Sequence, residues 1–484
     1  MENVPEKQPD TTPTEPPKVV SHALTETLAQ TVPPARTGTP GKFVTGSVLR
    51  HILVMTGTGA VGLMAIFIGE LANMLFLSRL GDVEIVSAVG YGSSILFFAT
   101  SIGIGLSIAA TAIVSPALGV GALTRARRLS LNAHLLTAVA SLVLSAALWL
   151  MVPSLLRWLG ATGRTHALAV EYLRIIIPAL TPLALGMTSG AVLRSVGDAQ
   201  RSMYVTLVGA LVNVVLDPLF IFTFGLGITG AAIATVIGRF VMMGVGLYGI
   251  MHVHNLMGRP KLRPFLSDSR ILAAVAIPAV LANIATPVGN AFVVSAMAPF
   301  GDAAVAGYAI LGRIQPVAFG AIFALSGSIG PILGQNLGAG EFERMRAVLT
   351  NALGVTTAFT AAAWMALLVL AEPLVRSFQA TGETAAIIRL FCQWVAPLFL
   401  FFGWLFVANA CFNTLRRPQL STAFNWARAT FGTVPFVMLG AHWYGAKGAI
   451  IGNMLGGIAF GIAAVVVCYR LIEQTAASGR APVV

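Results

Sequence analysis

Two carboxylates lie inside long apolar runs of this chain, Glu70 in AIFIGELANMLFL and Asp217 in LVNVVLDPLFIF. A carboxylate at membrane depth costs several kcal/mol unless it is protonated, paired or wet, so each is a candidate for binding and releasing an ion. Asn213 precedes Asp217 by four residues and Asn73 follows Glu70 by three, so on helices each amide shares a face with its acid. Counted from the outer helix ends at a helical rise of 1.5 Å per residue, both acids lie roughly 12–14 Å deep. An acid and amide could simply pack two helices together. An ionisable group is an expensive choice for that task, which favours ion coupling. Three arginines, Arg239, Arg313 and Arg428, also fall near mid-membrane. The expectation for them is pairing with carboxylates or carbonyls, with substrate contact as the alternative. Asn290 is a further polar position in an apolar run, either structural or facing a cavity.

The elements that must position these groups follow from composition. Of 484 residues, 56% are hydrophobic and only 10% charged, with mean hydropathy +0.84. A water-soluble surface needs about 25% charge, so most of the chain cannot face water. Twelve apolar segments are each long enough to span a bilayer: 50–79, 84–118, 129–153, 166–193, 202–224, 229–253, 271–300, 303–334, 347–371, 384–413, 420–440 and 446–469. The expected fold is an all-α membrane protein of twelve transmembrane helices in two pseudo-symmetric six-helix lobes. Its parts are a disordered Pro/Thr-rich tail (1–44), an N-terminal lobe (45–253), an inter-lobe loop (254–270), a C-terminal lobe (271–473) and a second tail (474–484).

The net charge of +12 reads as topology rather than nucleic-acid binding. Arg and Lys divide thirteen against five between the two sets of loops, which puts the richer set and both termini in the cytoplasm. A cell inner (plasma) membrane is the expected location. The halves repeat at a spacing of 219 residues: Ala161-Thr162-Gly163 returns as Ala380-Thr381-Gly382, and Pro178 as Pro397. Gly81-Asp82 returns as Gly301-Asp302, one residue off. Six-helix repeats of one orientation suit a transporter whose substrate site lies between two rocking bundles.

The stretch LVNVVLDPLFIFTFGLGITGAAIAT (211–235), with RSVGDAQRS before it and GPILGQNLGAGEFERMR in the second half, resembles the MATE (multidrug and toxic-compound extrusion) family, and most closely its DinF-like branch. The resemblance covers about 45–473. It implies export of organic compounds driven by H+ or Na+ entry, and no cofactor. It also puts Asn213 and Asp217 on the family's acidic-site positions and Thr235 on a hydroxyl beside them. In the first helix the family's order, an amide and then an acid three residues on, is exchanged: Glu70 comes first and Asn73 second. The Pro often found earlier in that helix is missing, and Gly57-Thr58-Gly59 stands in its region.

The reading is therefore a secondary antiporter, acting as a monomer among membrane lipids on a small organic cargo, cationic or zwitterionic. Three deep cations against two deep anions also leave room for an anionic cargo. The alternative is a flippase for lipid-linked oligosaccharide in the same superfamily. An intramembrane enzyme would need a nucleophile or a His/Asp cluster at one depth, and none stands out. GLGITG (225–230) joins two apolar helices rather than a strand and a helix, which removes the dinucleotide reading. His252 and His254 lack a Cys or carboxylate cluster, so no metal site is expected. Phe319 and Trp404 are candidates for a cavity wall.

Overall fold

The computed structural model describes residues 41–478, so residues 1–40 of the expected N-terminal tail and the last six of the C-terminal one lie outside it. In lipid every backbone polar group must be satisfied within the chain, and these apolar segments all solve that as helices. The first lobe contains α1 (Val48–Ser78), α2 (Glu84–Gly119), α3 (Leu123–Trp158), α4 (Gly163–Val196), α5 (Ala199–Thr223) and α6 (Gly227–Val253). The second contains α7 (Leu262–Phe300), α8 (Asp302–Ala318 and Gly320–Ala339, bent by 52°), α9 (Phe342–Ser377) and α10 (Gly382–Thr414). Its last helical stretch, Pro418–Ala477, leaves helical geometry at Tyr444 and Gly445 and folds back as α11 (418–443) and α12 (446–477). The hairpin is tight because glycine meets backbone on both arms: a Cβ on Gly456 would strike the carbonyl of Gly432, and one on Gly452 that of Phe436.

The repeat is written into the backbone. Thr162 and Thr381 are both extended (φ −132° and −126°). The glycines that follow them both have positive φ, 55° and 53°. Pro178 and Pro397 each sit in a short 3-10 turn, Ile177–Ala179 and Ala396–Leu398.

Several expected boundaries move. α7 begins at Leu262, within the expected loop 254–270, and α12 runs on to Ala477, past the expected start of the tail. α3 starts at Leu123 and carries Arg125, Arg127 and Arg128 on its first turns. Apolar length marks the hydrocarbon slab, and these helices continue beyond it into polar surroundings. The expected tail also reaches too far, because Lys42–Val44 forms a 3-10 turn with Phe43 and Val44 buried.

That turn lies where the lobes close on each other, at the face carrying both ends of the described chain. Lys42 Nζ donates to the carbonyl of Gly197 in the first lobe (2.8 Å). The Phe43 N–H donates to Gln335 Oε1 of α8 (2.8 Å), and Gln335 Nε2 donates onward to the Ser195 carbonyl of α4 (2.6 Å). Arg344 of α9 donates to the carbonyls of Phe43, Thr45 and Gly46. Deeper contact joins α2 to α8, where a Cβ on Gly338 would meet the Pro116 carbonyl and one on Gly334 the Ser115 hydroxyl. A second bridge joins α3 to α7: Asp268, 4% exposed, accepts from Arg128 Nε (3.1 Å) and Asn132 Nδ2 (2.6 Å).

Gly338→Val is expected to part α2 from α8, since two helix backbones cannot meet across a β-branched side chain. The three native cysteines are buried, so Ser115→Cys supplies a single reporter thiol. A membrane-impermeant thiol reagent should leave it unlabelled alone and label it in combination with Gly338→Val. Equal labelling with and without Gly338→Val would refute this account of the closure.

Candidate functional site

α5 and α6 approach closely where Gly209 and Gly238 face each other, with Asn213 beside Gly238. α1 packs on α5 through Gly62 against Thr206 and Gly69 against Val214. This small-residue packing brings the two polar faces of the first lobe together. Asn73 Nδ2 donates to Asp217 Oδ2 at 2.8 Å. Asp217 is wholly buried, and its Oδ1 has no hydrogen-bond partner among the described residues. Asn213 Oδ1 is likewise without a partner there. The result is two unfilled acceptor oxygens one helical turn apart on α5. A carboxylate oxygen in that setting can take a proton, and carboxylate with amide oxygen is the donor chemistry of a hard cation.

Glu70 does not join that bond. It is exposed, and the cations acting on it are Arg239 of its own lobe and Arg313 of the other. Arg239 Nη1 also donates to the Ile176 carbonyl (3.3 Å). Thr235 turns its hydroxyl to the Ala231 carbonyl of its own helix (2.9 Å), so no hydrogen bond joins it to Asp217.

Across the lobe boundary Asn290 is exposed and accepts from the Tyr308 hydroxyl (3.3 Å). Arg428 is 5% exposed. It lies over the Phe402 ring at 4.7 Å and donates through Nη2 to Thr286 Oγ1 (3.3 Å). Of the three deep arginines, then, Arg239 has a carbonyl partner, Arg313 is exposed, and Arg428 has neither a carboxylate nor a carbonyl partner among the described residues.

Phe319 is fully buried and stacks on Phe399 with centroids 4.2 Å apart, so it is core and not cavity wall. An aromatic at a helix bend reads the same in sequence whichever way it points. Trp404 donates to Thr357 Oγ1 (3.4 Å). The two histidines of HxH part company: His252 stacks on Tyr248, and His254 Nε2 lies 2.7 Å from Asp198. Burial raises the Asp198 carboxyl, but bonds from the Arg201 backbone and guanidinium and from His254 outweigh it and hold it below the usual carboxylate range. Sequence reasoning missed Tyr308, Thr286 and the Asp268 bridge. Asp268 could have been found as an acid amid the loop arginines, whereas Thr286 gives no signal.

The MatE family model matches residues 59–219 and again 278–438, one match per lobe at the spacing of the repeat. The chain belongs to the MATE family. Curated relatives include the FAD transporter of Shewanella oneidensis, 27% identical over 435 residues, 89% of this chain and 96% of that one. The probable multidrug resistance protein NorM of Thermotoga maritima is 26% identical over 386 residues, covering 78% of this chain and 82% of its own. Among solved structures, the Vibrio cholerae MATE transporter VcmN in the bent form matches at a TM-score of 0.83 and 26% identity, over 88% of this chain and 97% of that one. The twelve-helix, two-lobe MATE fold is thus the fold of this chain, which is a multi-pass membrane transporter of an efflux family.

Proposed function

We propose that this chain is a secondary antiporter that exports a small organic compound in exchange for H+ or Na+, by alternating access between its lobes. The observation that carries the reading is Asp217: a wholly buried carboxylate held on one oxygen by Asn73, its other oxygen free to take the ion. Asn213 completes the acceptor set and Glu70 stands by, exposed, as a second acid. The face bearing the ends of the described chain is cytoplasmic on the Arg/Lys count, in the inner (plasma) membrane. The form described is therefore closed toward the cytoplasm, the state in which an exporter exchanges cargo for ion on the outside. A relative named for FAD transport and others named for drug resistance make both flavins and cationic dyes sensible probes.

The test is transport by the purified protein in liposomes carrying ethidium or FAD, under an imposed pH gradient or an imposed Na+ gradient. One gradient should drive movement against the cargo concentration, and the ion that does so is the coupling ion. Movement of cargo only down its own gradient under both conditions would rule the antiporter reading out.

A further inference from the structure

The repeat does not repeat its charges. Gly69-Glu70 answers Gly289-Asn290 at the one-residue slip, and at a spacing of 219 Asp217 answers Phe436. In the other direction Arg428 answers Gly209. Every Asp and Glu of the second lobe lies toward a helix end: Asp268, Asp302, Glu341, Glu343, Glu372, Glu383 and Glu473. Its deep charges are cations.

Resting on the antiporter reading, we propose that Arg428 is the base of an oxyanion site in the second lobe, and that the exported compound carries a phosphate or carboxylate group which this site binds. A buried cation is expensive unless paired, and among the described residues Arg428 has no carboxylate partner. A guanidinium offers five N–H donors. One is met by Thr286, the face is covered by Phe402, and Nε has no partner. The remaining fork is the shape that takes two oxygens of one carboxylate or phosphate. Thr286 and Asn290 are one turn apart on α7, and Asn290 is tied to Tyr308, which makes a polar path from exposed Asn290 inward to Arg428. Ion coupling and anion recognition thus fall to different lobes.

The test uses the full-length protein in phosphatidylcholine nanodiscs, titrated with flavin mononucleotide and with riboflavin, which share a ring and differ by a phosphate. Binding is read by flavin fluorescence. The monophosphate should bind about tenfold or more tightly. Arg428→Gln should erase that preference and Arg428→Lys should keep part of it. The comparison of the two flavins on the unaltered protein does not depend on any variant folding. Equal affinities, no monophosphate binding at millimolar concentration, or a preference that survives Arg428→Gln would overturn the site. Adding phosphatidylglycerol separates the sources. Competition against the monophosphate makes a lipid headgroup a native occupant, and no competition makes the occupant soluble; both uphold the oxyanion site. Gradient-driven ethidium transport without a flavin preference would leave the antiporter standing and remove this site. A flavin preference without gradient-driven transport would do the reverse.

Discussion

Asp217→Asn abolishes gradient-driven efflux and leaves only movement of cargo down its own gradient. The side chain keeps its size and can still meet Asn73, so the helices should stay packed and the protein should remain monodisperse in detergent. What goes is the group that can alternate between charged and neutral. An amide neither takes up a proton nor balances a cation, so the energy of the gradient has no entry. Passive cargo exchange through the variant should persist, because no cargo contact has been assigned to Asp217. Near-normal uphill transport by Asp217→Asn would show that the ion binds elsewhere.

Glu70→Gln is the second large effect, a loss of about tenfold or more in cycling rate with cargo binding retained. Glu70 lies within electrostatic reach of Arg239 and of Arg313 in the other lobe. Its charge therefore attracts the opposite lobe, and protonation or ion binding would release that attraction. Glutamine fixes the neutral state. The double change Glu70→Asn with Asn73→Asp restores the family's usual order and should recover part of the activity. The structure sharpens this expectation. A carboxylate introduced at position 73 would stand where the amide now meets Asp217 at 2.8 Å, and two carboxylates that close cannot both be ionised without a cation between them. Rescue should then come with a steeper dependence on external pH or Na+ than the parent shows. Full uphill transport by Glu70→Gln would reduce Glu70 to a surface charge.

The spans and the lobe repeat were legible because apolar length and a fixed spacing survive any packing detail. Helix ends were not, since Arg125, Arg127 and Arg128 continue α3 in a stretch too polar to count as membrane. The pair Asn213 and Asp217 could be read from spacing and depth alone. Which first-helix residue touches Asp217 could not, because Glu70 and Asn73 share a face and only the rotation of α1 on α5 decides between them. Arg428 looked like the other deep arginines, and its missing partner is a property of space, not of sequence. Phe43 was hidden by its neighbours, a lone aromatic at the end of a Pro/Thr-rich stretch.

The short turn around Phe43 has a thermodynamic consequence. Its backbone bonds reach Gln335 and Arg344 of one lobe while Lys42 reaches Gly197 of the other, so the lobes cannot part at this face with every bond intact. A residue freed from fixed backbone geometry regains about 1–2 kcal/mol of conformational entropy at room temperature. Releasing the few residues from Gly41 to Gly46 would therefore return several kcal/mol, of the same order as the hydrogen bonds and the aromatic burial given up. The segment acts as a loaded spring, offsetting much of the enthalpy of closure with the freedom it recovers on opening. The offset grows with temperature, so warming should favour the state open at this face more than contact area alone would suggest.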